Sequence, residues 1–322
     1  MPRSRRAKWS AVAVPAVLVL AGGLFLTFNT NAFGPERVCH GKLSADDVQR
    51  AFPGTGRLTG EDAGQARSCT VERTAVGPGT TDVRFSLEVS SESAAFPFER
   101  GTWAMSASDD IVAGALPGVT DERSGWLLLP SSCTALAAPA APGDRTVLRA
   151  RVWSGAAEPT ALARLLTTAA ASWTAESDCR PKSTEGPGDV LPASTVSATD
   201  LDEVCALPGF RLAKTTGPKG QSVQERTSGD LDSAWFCDLS FTGDERNGPF
   251  TRLAVVKDPE LAASLTDRRV EKAVCGGEET YFLLDNVDYP WNPKERAATG
   301  FPAEKELSDL FAKAARGSLD CS

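Results

Sequence analysis

Eight cysteines, divided equally between the two halves of the chain, constrain the fold of this sequence more than any other feature. They form two quartets: Cys39, Cys69, Cys133 and Cys179, then Cys205, Cys237, Cys275 and Cys321. The first two cysteines of each quartet are 30 and 32 residues apart, and the last two are 46 apart in both. Only the middle interval differs, at 64 residues against 38. This spacing predicts two copies of one unit, with an insertion in the first copy.

An uncharged stretch, residues 9–28, precedes both quartets and follows the cations Arg3, Arg5, Arg6 and Lys8. As a helix it would extend roughly 30 Å, which is the hydrocarbon thickness of a bilayer. Because cationic flanks stay in the cytoplasm, we expect a single-pass membrane anchor with its N-terminus inside and its C-terminus outside. The stretch is longer than the apolar region of a usual signal peptide, so secretion after cleavage is the alternative.

In an exported chain, an even number of cysteines at ordered spacings indicates disulfides. Four cysteines permit three connectivities, and the repeat favours pairing the first with the second and the third with the fourth in each copy. A metal site is not expected, because there is no Cys-x-x-Cys pair and His40 is the only histidine. No cofactor is predicted either.

Hydrophobic periodicity predicts matching elements at matching places in the two copies. Strands with alternating apolar residues are predicted after the second and third cysteines, at residues 83–89 and 146–153 in copy one and 252–257 and 280–285 in copy two. A helix with an apolar stripe is predicted before each fourth cysteine, starting at Pro159 in copy one and near Pro302 in copy two, with Gly317 just past the end of the second helix.

Other elements distinguish the copies. In copy one Ser44 is placed to cap a helix over residues 45–52, whereas Pro208 and Gly209 leave the equivalent helix of copy two short or absent. Residues 126–129 are apolar throughout, which favours an added buried strand within the insertion over an exposed surface.

The predicted fold class is therefore α+β: two tandem disulfide-bonded domains, each a mostly antiparallel sheet covered by a C-terminal helix, after one N-terminal transmembrane helix. The expected boundaries are a cytoplasmic segment at 1–8, the span at 9–28, a tether at 29–38, the first domain at 39–180, a Pro/Gly/Ser/Thr-rich linker at 181–200 and the second domain at 201–322.

Charge argues against nucleic acid as a partner. The formal net charge is -8, and all four cations of residues 1–28 lie on the cytoplasmic side of the predicted span. The remaining chain therefore has 30 basic against 42 acidic residues. Such a surface repels a phosphate backbone.

The sequence contains no arrangement of residues typical of a catalytic site. The only candidate general base among histidines, His40, adjoins Cys39 and is expected to be a loop residue. Acidic clusters occur, and for each of them a solvated surface is the expected role. They are Asp109 with Asp110; Asp200, Asp202 and Glu203; and Asp285 with Asp288.

The tryptophans indicate mostly core positions. Trp153, Trp173 and Trp235 adjoin predicted strands or helices and are expected in the core. Tyr289 and Trp291 differ, because Pro290 and Pro293 stiffen the loop that holds them. This loop is a candidate binding loop, although closure of the loop by prolines packing on Trp291 is the more ordinary interpretation.

Copy two resembles small cysteine-paired extracytoplasmic domains of actinobacteria, which occur as lipoproteins and sensor ectodomains. The resemblance rests on Val204-Cys205, on Trp235-Phe236-Cys237-Asp238-Leu239 entering a strand, and on a closing helix followed by Cys321. Copy one departs from it at Ser68-Cys69-Thr70-Val71, which lacks the aromatic residues. The resemblance implies no catalytic residue.

These observations favour a membrane-anchored extracytoplasmic binding or interaction protein of the cell envelope, whose partner is an envelope protein or a small ligand. A carboxylate-dependent envelope hydrolase and a non-catalytic structural spacer are the alternatives, and an enzyme is the less expected outcome.

Overall fold

The structure is a computed structural model that describes residues 29–61, 67–75, 82–99, 102–137, 140–177, 179, 189–217, 219–243, 248–265, 270–285 and 299–321, with isolated positions 22, 23, 27 and 294. Apart from Gly22, Gly23 and Thr27, the predicted span lies outside the described residues. Asp288 and the loop that holds Tyr289 and Trp291 also lie outside them. Within the described ranges, no helix is both long and apolar enough to cross a membrane.

The first half of the chain, residues 29–179, forms strands and two helices. The strands are β1 (Arg37–Val38), β2 (Leu43–Ser44), β3 (Arg57–Glu61), β4 (Ser68–Thr74), β5 (Val83–Glu92), β6 (Phe98–Glu99), β7 (Thr102–Trp103), β8 (Asp110–Val112), β9 (Gly118–Thr120), β10 (Ser124–Leu128) and β11 (Arg145–Ser154). The helices are α1 (Ala45–Ala51) and α2 (Pro159–Glu176), and a 3-10 segment covers Ser131–Ala137.

The second half, residues 199–321, follows two short strands, β12 (Val190–Leu191) and β13 (Ser197–Ala198). Its strands are β14 (Val223–Gly229), β15 (Ala234–Phe241), β16 (Thr251–Val256), β17 (Glu271–Cys275) and β18 (Glu278–Asp285). Its helices are α3 (Pro259–Ala262) and α4 (Glu304–Ser318), with 3-10 segments at Val204–Ala206 and Ala263–Leu265.

Among the described residues, each half builds one large antiparallel sheet, and the two large sheets share a strand order. In the first half, β1 also pairs with β2 and β6 with β7 as two-stranded antiparallel hairpins. The first sheet has the order β12-β8-β9-β10-β11-β5-β4-β3, and the second has the order β13-β14-β15-β16-β18-β17. The run β3-β4-β5-β11-β10 of the first sheet corresponds to β14-β15-β16-β18-β17 of the second, with the same chain order and the same antiparallel pairings.

The backbone at the first cysteine of each half repeats as well. Cys39 and His40 have φ of 56° and 52°, and Cys205 and Ala206 have φ of 58° and 54°. A positive φ is uncommon outside glycine, so its recurrence at equivalent pairs of residues is a second, independent sign of a common unit.

All eight cysteines are joined in four disulfides. The pairs are Cys39–Cys69, Cys133–Cys179, Cys205–Cys237 and Cys275–Cys321, which is the connectivity that the repeat favours. This pattern is typical of proteins that fold in an oxidising, extracytoplasmic compartment.

The long helices form where periodicity predicts them. Pro159 begins α2 at its first turn, and the Glu158 side chain accepts hydrogen bonds from the amides of Thr160 and Ala161. Helix α1 is capped by Ser44 in a capping box with Asp47. Helix α4 runs to Ser318, so Gly317 lies in its last turn rather than beyond it.

Three clusters of buried residues hold the molecule together. The first lies between α1, α2 and one face of the first sheet, and the second lies between α4 and one face of the second sheet. The third joins residues of both halves and contains Phe96, Phe98, Trp126, Phe236 and Tyr281. The remaining face of the second sheet therefore packs on part of the remaining face of the first, with α1, α2 and α4 outside and α3 at the contact.

The residues that interrupt the repeat provide much of this inter-sheet contact. The insertion of the first half carries β6, β7, β8 and β9, and its Phe98 ring lies 6.3 Å from that of Phe236 on β15. The buried Arg145 on β11 also reaches α3, where it pairs with the Glu260 carboxylate at 3.4 Å. Strand β10, with Trp126 to Leu128 buried, is a strand as predicted, but it corresponds to β17 and does not belong to the insertion.

Two segments expected as connections are part of the folded structure. In the described part of the linker, β12 extends the first sheet at β8 and β13 extends the second at β14. In the tether, Asn29 is buried and the Asn31 side chain accepts a hydrogen bond from the Leu58 amide at 3.1 Å. Neither segment is a free spacer.

Candidate functional site

Because the second sheet packs mainly on β8, β9, β10 and the β6–β7 hairpin, part of the first sheet stays uncovered. Strand β5 shows this clearly: Phe85 and Leu87 are buried beneath the helices, while Arg84 and Glu88 are exposed on the opposite side. We call this uncovered surface the open face and define it by one set of residues. They are Thr70, Glu72, Arg84, Ser86, Glu88, Arg151 and Trp153.

Trp153 is the only large hydrophobic side chain of the open face, and it is 56% exposed. It lies at a β-bulge, because the pairing of β11 with β5 shifts between Val152 and Ser154. Its indole nitrogen donates a hydrogen bond to Ser86 Oγ at 3.2 Å. The guanidinium carbon of Arg151 lies 4.9 Å from the centre of its ring. Bulges redirect side chains, and here the redirected side chain is an aromatic ring fixed in contact with solvent.

Polar side chains lie in register beside this ring. Thr70 is paired with Ser86, Ser86 with Arg151, and Arg151 with Ser124 on β10. Since neighbouring strands are about 4.8 Å apart, these groups form a row of hydroxyls interrupted by one guanidinium. Hydroxyls donate and accept, whereas a guanidinium only donates, so the row offers both kinds of hydrogen bond to a ligand.

The charges of the open face and its margin are nearly balanced. Arg84 pairs with Glu72 at 3.0 Å, and Arg149, at the margin, pairs with Glu92 at 2.8 Å. Arg151 and Glu88 have no ion-pair partner among the described side chains. Two charged groups therefore remain available to a ligand: the Arg151 guanidinium, a donor within the row, and the Glu88 carboxylate, an acceptor two residues from Ser86 along β5.

A second cluster of charges lies on the inter-sheet face of the second sheet. Arg226, Asp238, Arg252 and Asp285 are cross-strand neighbours on β14, β15, β16 and β18, so positive and negative groups alternate across four strands. Arg252 Nε lies 3.9 Å from Asp238 Oδ1. Opposite charges on neighbouring strands attract each other, and this charge row spans most of the sheet.

The first half completes this charge row. Burial raises the pKa of Asp238 to about 6. The positive charge of Arg252 and a hydrogen bond donated by the Ala107 amide both lower this pKa, whereas the nearby Asp109 carboxylate raises it further. Burial also raises the pKa of Asp109, although its carboxylate accepts hydrogen bonds from the Ser106 amide at 2.8 Å and from Ser106 Oγ at 2.9 Å. These carboxylates are engaged by partners from both halves, which accounts for them as part of the contact between the sheets.

A polar cleft of about 730 Å³ lies at the start of the first half. It separates the tether from the beginning of α1 and from the loop before β3, and its side chains include Asn29, Asn31, Glu36, Asp46 and Gln49. No cation lines it. If the preceding residues span a membrane, this cleft lies next to the bilayer surface.

The residues singled out from the sequence are not gathered into one site. His40 is an exposed residue, as expected of a loop position. Asp110 accepts a hydrogen bond from the Ala193 amide at 2.8 Å, and Asp200 accepts one from the Asp202 amide at 2.9 Å. The expectation of a solvated surface is wrong for Asp285, which is buried in the charge row beside Arg252. In the part of the chain that the structure describes, no group of three or more potential ligands is placed to hold a metal ion.

The prediction for Trp153 is wrong, whereas Trp173 and Trp235 are buried as expected. Adjacency to a strand suggested core packing for all three. The alternation along β11 carried the opposite signal, because Arg149, Arg151 and Trp153 occupy every second position and Ala150 and Val152 lie between them. A tryptophan in phase with two arginines belongs to the polar side of a strand.

Comparisons of the chain with protein families, with curated proteins and with solved structures found no match.

Proposed function

We propose that this protein is a membrane-anchored extracytoplasmic binding protein of the cell envelope, built from two tandem disulfide-bonded α+β units, with the open face as its ligand-binding surface. Residues 9–28 hold it at the membrane, and both units lie outside. The four disulfides support the compartment, and the repeated strand order supports the duplication.

The observation that carries this proposal is the placement of Trp153. Burying an indole stabilises a fold substantially, yet this one is more than half exposed on an interior strand of the sheet, at a bulge near the end of β11 and beside hydrogen-bonding side chains. A side chain that is exposed to solvent at such a position contributes little to the stability of the fold. Contact with a bound ligand accounts for its placement.

The two other interpretations receive less support. For a carboxylate-dependent hydrolase, Asp109 and Asp238 are the best candidates, but both are engaged in the contact between the sheets. For a structural spacer, an exposed and ordered aromatic platform has no purpose.

Cosedimentation with washed envelope fragments tests the proposal. We expect the full chain, kept in detergent, to sediment with the fragments, and Trp153→Ala to remain in the supernatant. Val274→Ala is the matched control, because Val274 is also an exposed hydrophobic residue, at 49%, but lies on β17 of the other sheet. If Trp153→Ala sediments as well as the wild type does, the open face is not the binding surface.

A further inference from the structure

The side chains of the open face also indicate a class of ligand, an inference that rests on the proposed function. We propose that the open face binds an uncharged saccharide chain: a sugar ring stacks on Trp153, Arg151 donates hydrogen bonds to its hydroxyls, and Glu88 accepts hydrogen bonds from them.

The first step is the aromatic ring. One face of a pyranose ring presents C–H groups and is apolar, whereas its edge presents hydroxyls. A single flat indole surface therefore satisfies the ring face. The hydrogen bond to Ser86 and the contact with Arg151 hold the indole in one orientation, so little conformational entropy is lost when a ligand binds.

The second step is the balance of donors and acceptors. Each sugar hydroxyl both donates and accepts, and it is best matched by a carboxylate and a guanidinium placed together. Glu88 and Arg151 are both exposed and lack ion-pair partners among the described residues, so neither must break a salt bridge to engage a ligand. Thr70 and Ser86 supply further hydroxyls in the adjoining register positions.

The third step excludes other occupants. A protein interface of ordinary size has an apolar core, and Trp153 alone does not supply one. A densely anionic polymer would gain no net attraction from this face, where Glu72 and Glu88 offset Arg84 and Arg151, and it would meet a protein of net charge -8. An uncharged chain rich in hydroxyls avoids both obstacles.

Isothermal titration calorimetry of the full chain in detergent tests this inference with cellohexaose and hexa-N-acetylchitohexaose, two uncharged chains whose β-linked rings have apolar faces. We expect both to bind. Losing the stacking and the burial of the indole in Trp153→Ala should weaken binding at least about tenfold. Removing the charged donor in Arg151→Ala should weaken it by roughly tenfold, and Trp153→Phe should retain most of the affinity because it keeps an aromatic face.

Arg164→Ala is the matched control for charge, because Arg164 is an exposed arginine on α2, on the opposite side of the same sheet, and its loss should leave binding unchanged. The inference is overturned if neither saccharide binds, if Trp153→Ala and Arg151→Ala bind as the wild type does, or if an anionic chain such as polygalacturonate binds more tightly than the uncharged ones.

The two proposals fail in different ways. If the saccharides do not bind but Trp153→Ala still abolishes sedimentation with envelope fragments, the ligand class is wrong and the binding surface stands. If sedimentation is insensitive to Trp153, both proposals fall.

Discussion

At the residue scale, Asp238 connects the two sheets through its charge. Its carboxyl is almost fully buried between Arg252 and Arg226 of its own sheet and Ala107 and Asp109 of the first half. Burial raises its pKa from 3.8 to about 6. A carboxyl with a raised pKa binds its proton more tightly in the folded state, so its contribution to stability is full below pH 4 and is lost as the pH rises to about 6.

We therefore predict that the free energy of unfolding of the wild type falls between pH 4 and pH 7 relative to that of Asp238→Asn. The difference should reach up to about 3 kcal/mol, which corresponds to two pKa units. Denaturant titrations of both proteins across this pH range measure it. Asp232→Asn is the control, because the Asp232 side chain is 96% exposed and should show no such trend. A parallel pH dependence of wild type and Asp238→Asn would contradict the assignment.

The sequence of β15, the strand that carries Asp238, indicates on how many faces the strand is buried. The run Trp235-Phe236-Cys237 is apolar on consecutive positions, and such a run indicates a strand buried on both faces. β15 is such a strand, between α4 on one side and the first half on the other. β5 alternates strictly, and one of its faces is open. The contrast between these two strands was present in the sequence, but which surface covers β15 depends on contacts between distant residues.

At the element scale, the third and fourth cysteines of each half tie the terminal helix to the rest of its unit. Cys321 follows α4 and bonds to Cys275 at the end of β17. Cys179 follows α2 and bonds to Cys133, which lies in the 3-10 segment after β10 rather than in a strand. Both bonds close loops of 46 residues.

Equal loops predict equal effects. In the chain-entropy account, replacing either pair by alanine should lower the free energy of unfolding by about 4 kcal/mol. Denaturant unfolding of Cys133→Ala/Cys179→Ala and of Cys275→Ala/Cys321→Ala, each compared with the wild type, measures both effects. A loss below about 1 kcal/mol in one variant and a large loss in the other would show that the two bonds are not equivalent.

The tether is an element whose role periodicity could not predict. The sequence shows only a short segment between an apolar stretch and Cys39, whereas the structure folds it onto the first half through Asn29 and Asn31. Phe33 remains 68% exposed on it. If residues 9–28 span the bilayer, this ring lies at the level of the lipid headgroups, where aromatic residues are favoured.

Replacing Phe33 by tryptophan tests this placement. In vesicles that contain brominated lipids, the added fluorescence of Phe33→Trp should be quenched, after subtraction of the wild-type signal. Val274→Trp is the control, because Val274 is exposed on the second half, and its added fluorescence should be unaffected. Equal quenching of the two would contradict a membrane-proximal tether.

At the scale of the whole molecule, the matching order of strands in the two halves was predictable, and the way the halves join was not. Cysteine spacing and matching strands indicated two units with an insertion in the first. The insertion turns out to supply Phe96, Phe98, Trp103 and Met105 to the cluster shared by the two halves. Packing of this kind depends on shape complementarity between surfaces far apart in the sequence, and periodicity within one element cannot register it.

The shared cluster predicts that the two halves unfold together. Phe236 is 1% exposed, faces the first half and stacks on Phe98, so Phe236→Ala should cost about 3–5 kcal/mol and should weaken the coupling between the halves. Calorimetry should show one transition for the wild type and two for Phe236→Ala.

Phe241→Ala is the control that separates coupling from stability. Phe241 lies on the same strand and is 2% exposed, but it faces α4 and belongs to the core of the second half alone. Its loss should be about as destabilising as that of Phe236. Because the inter-sheet surface stays intact, however, the protein should still unfold in one transition, at a lower temperature. Two transitions in the wild type would mean that the sheets touch without sharing stability. A single transition in Phe236→Ala would mean that Phe236 does not carry the coupling between the halves.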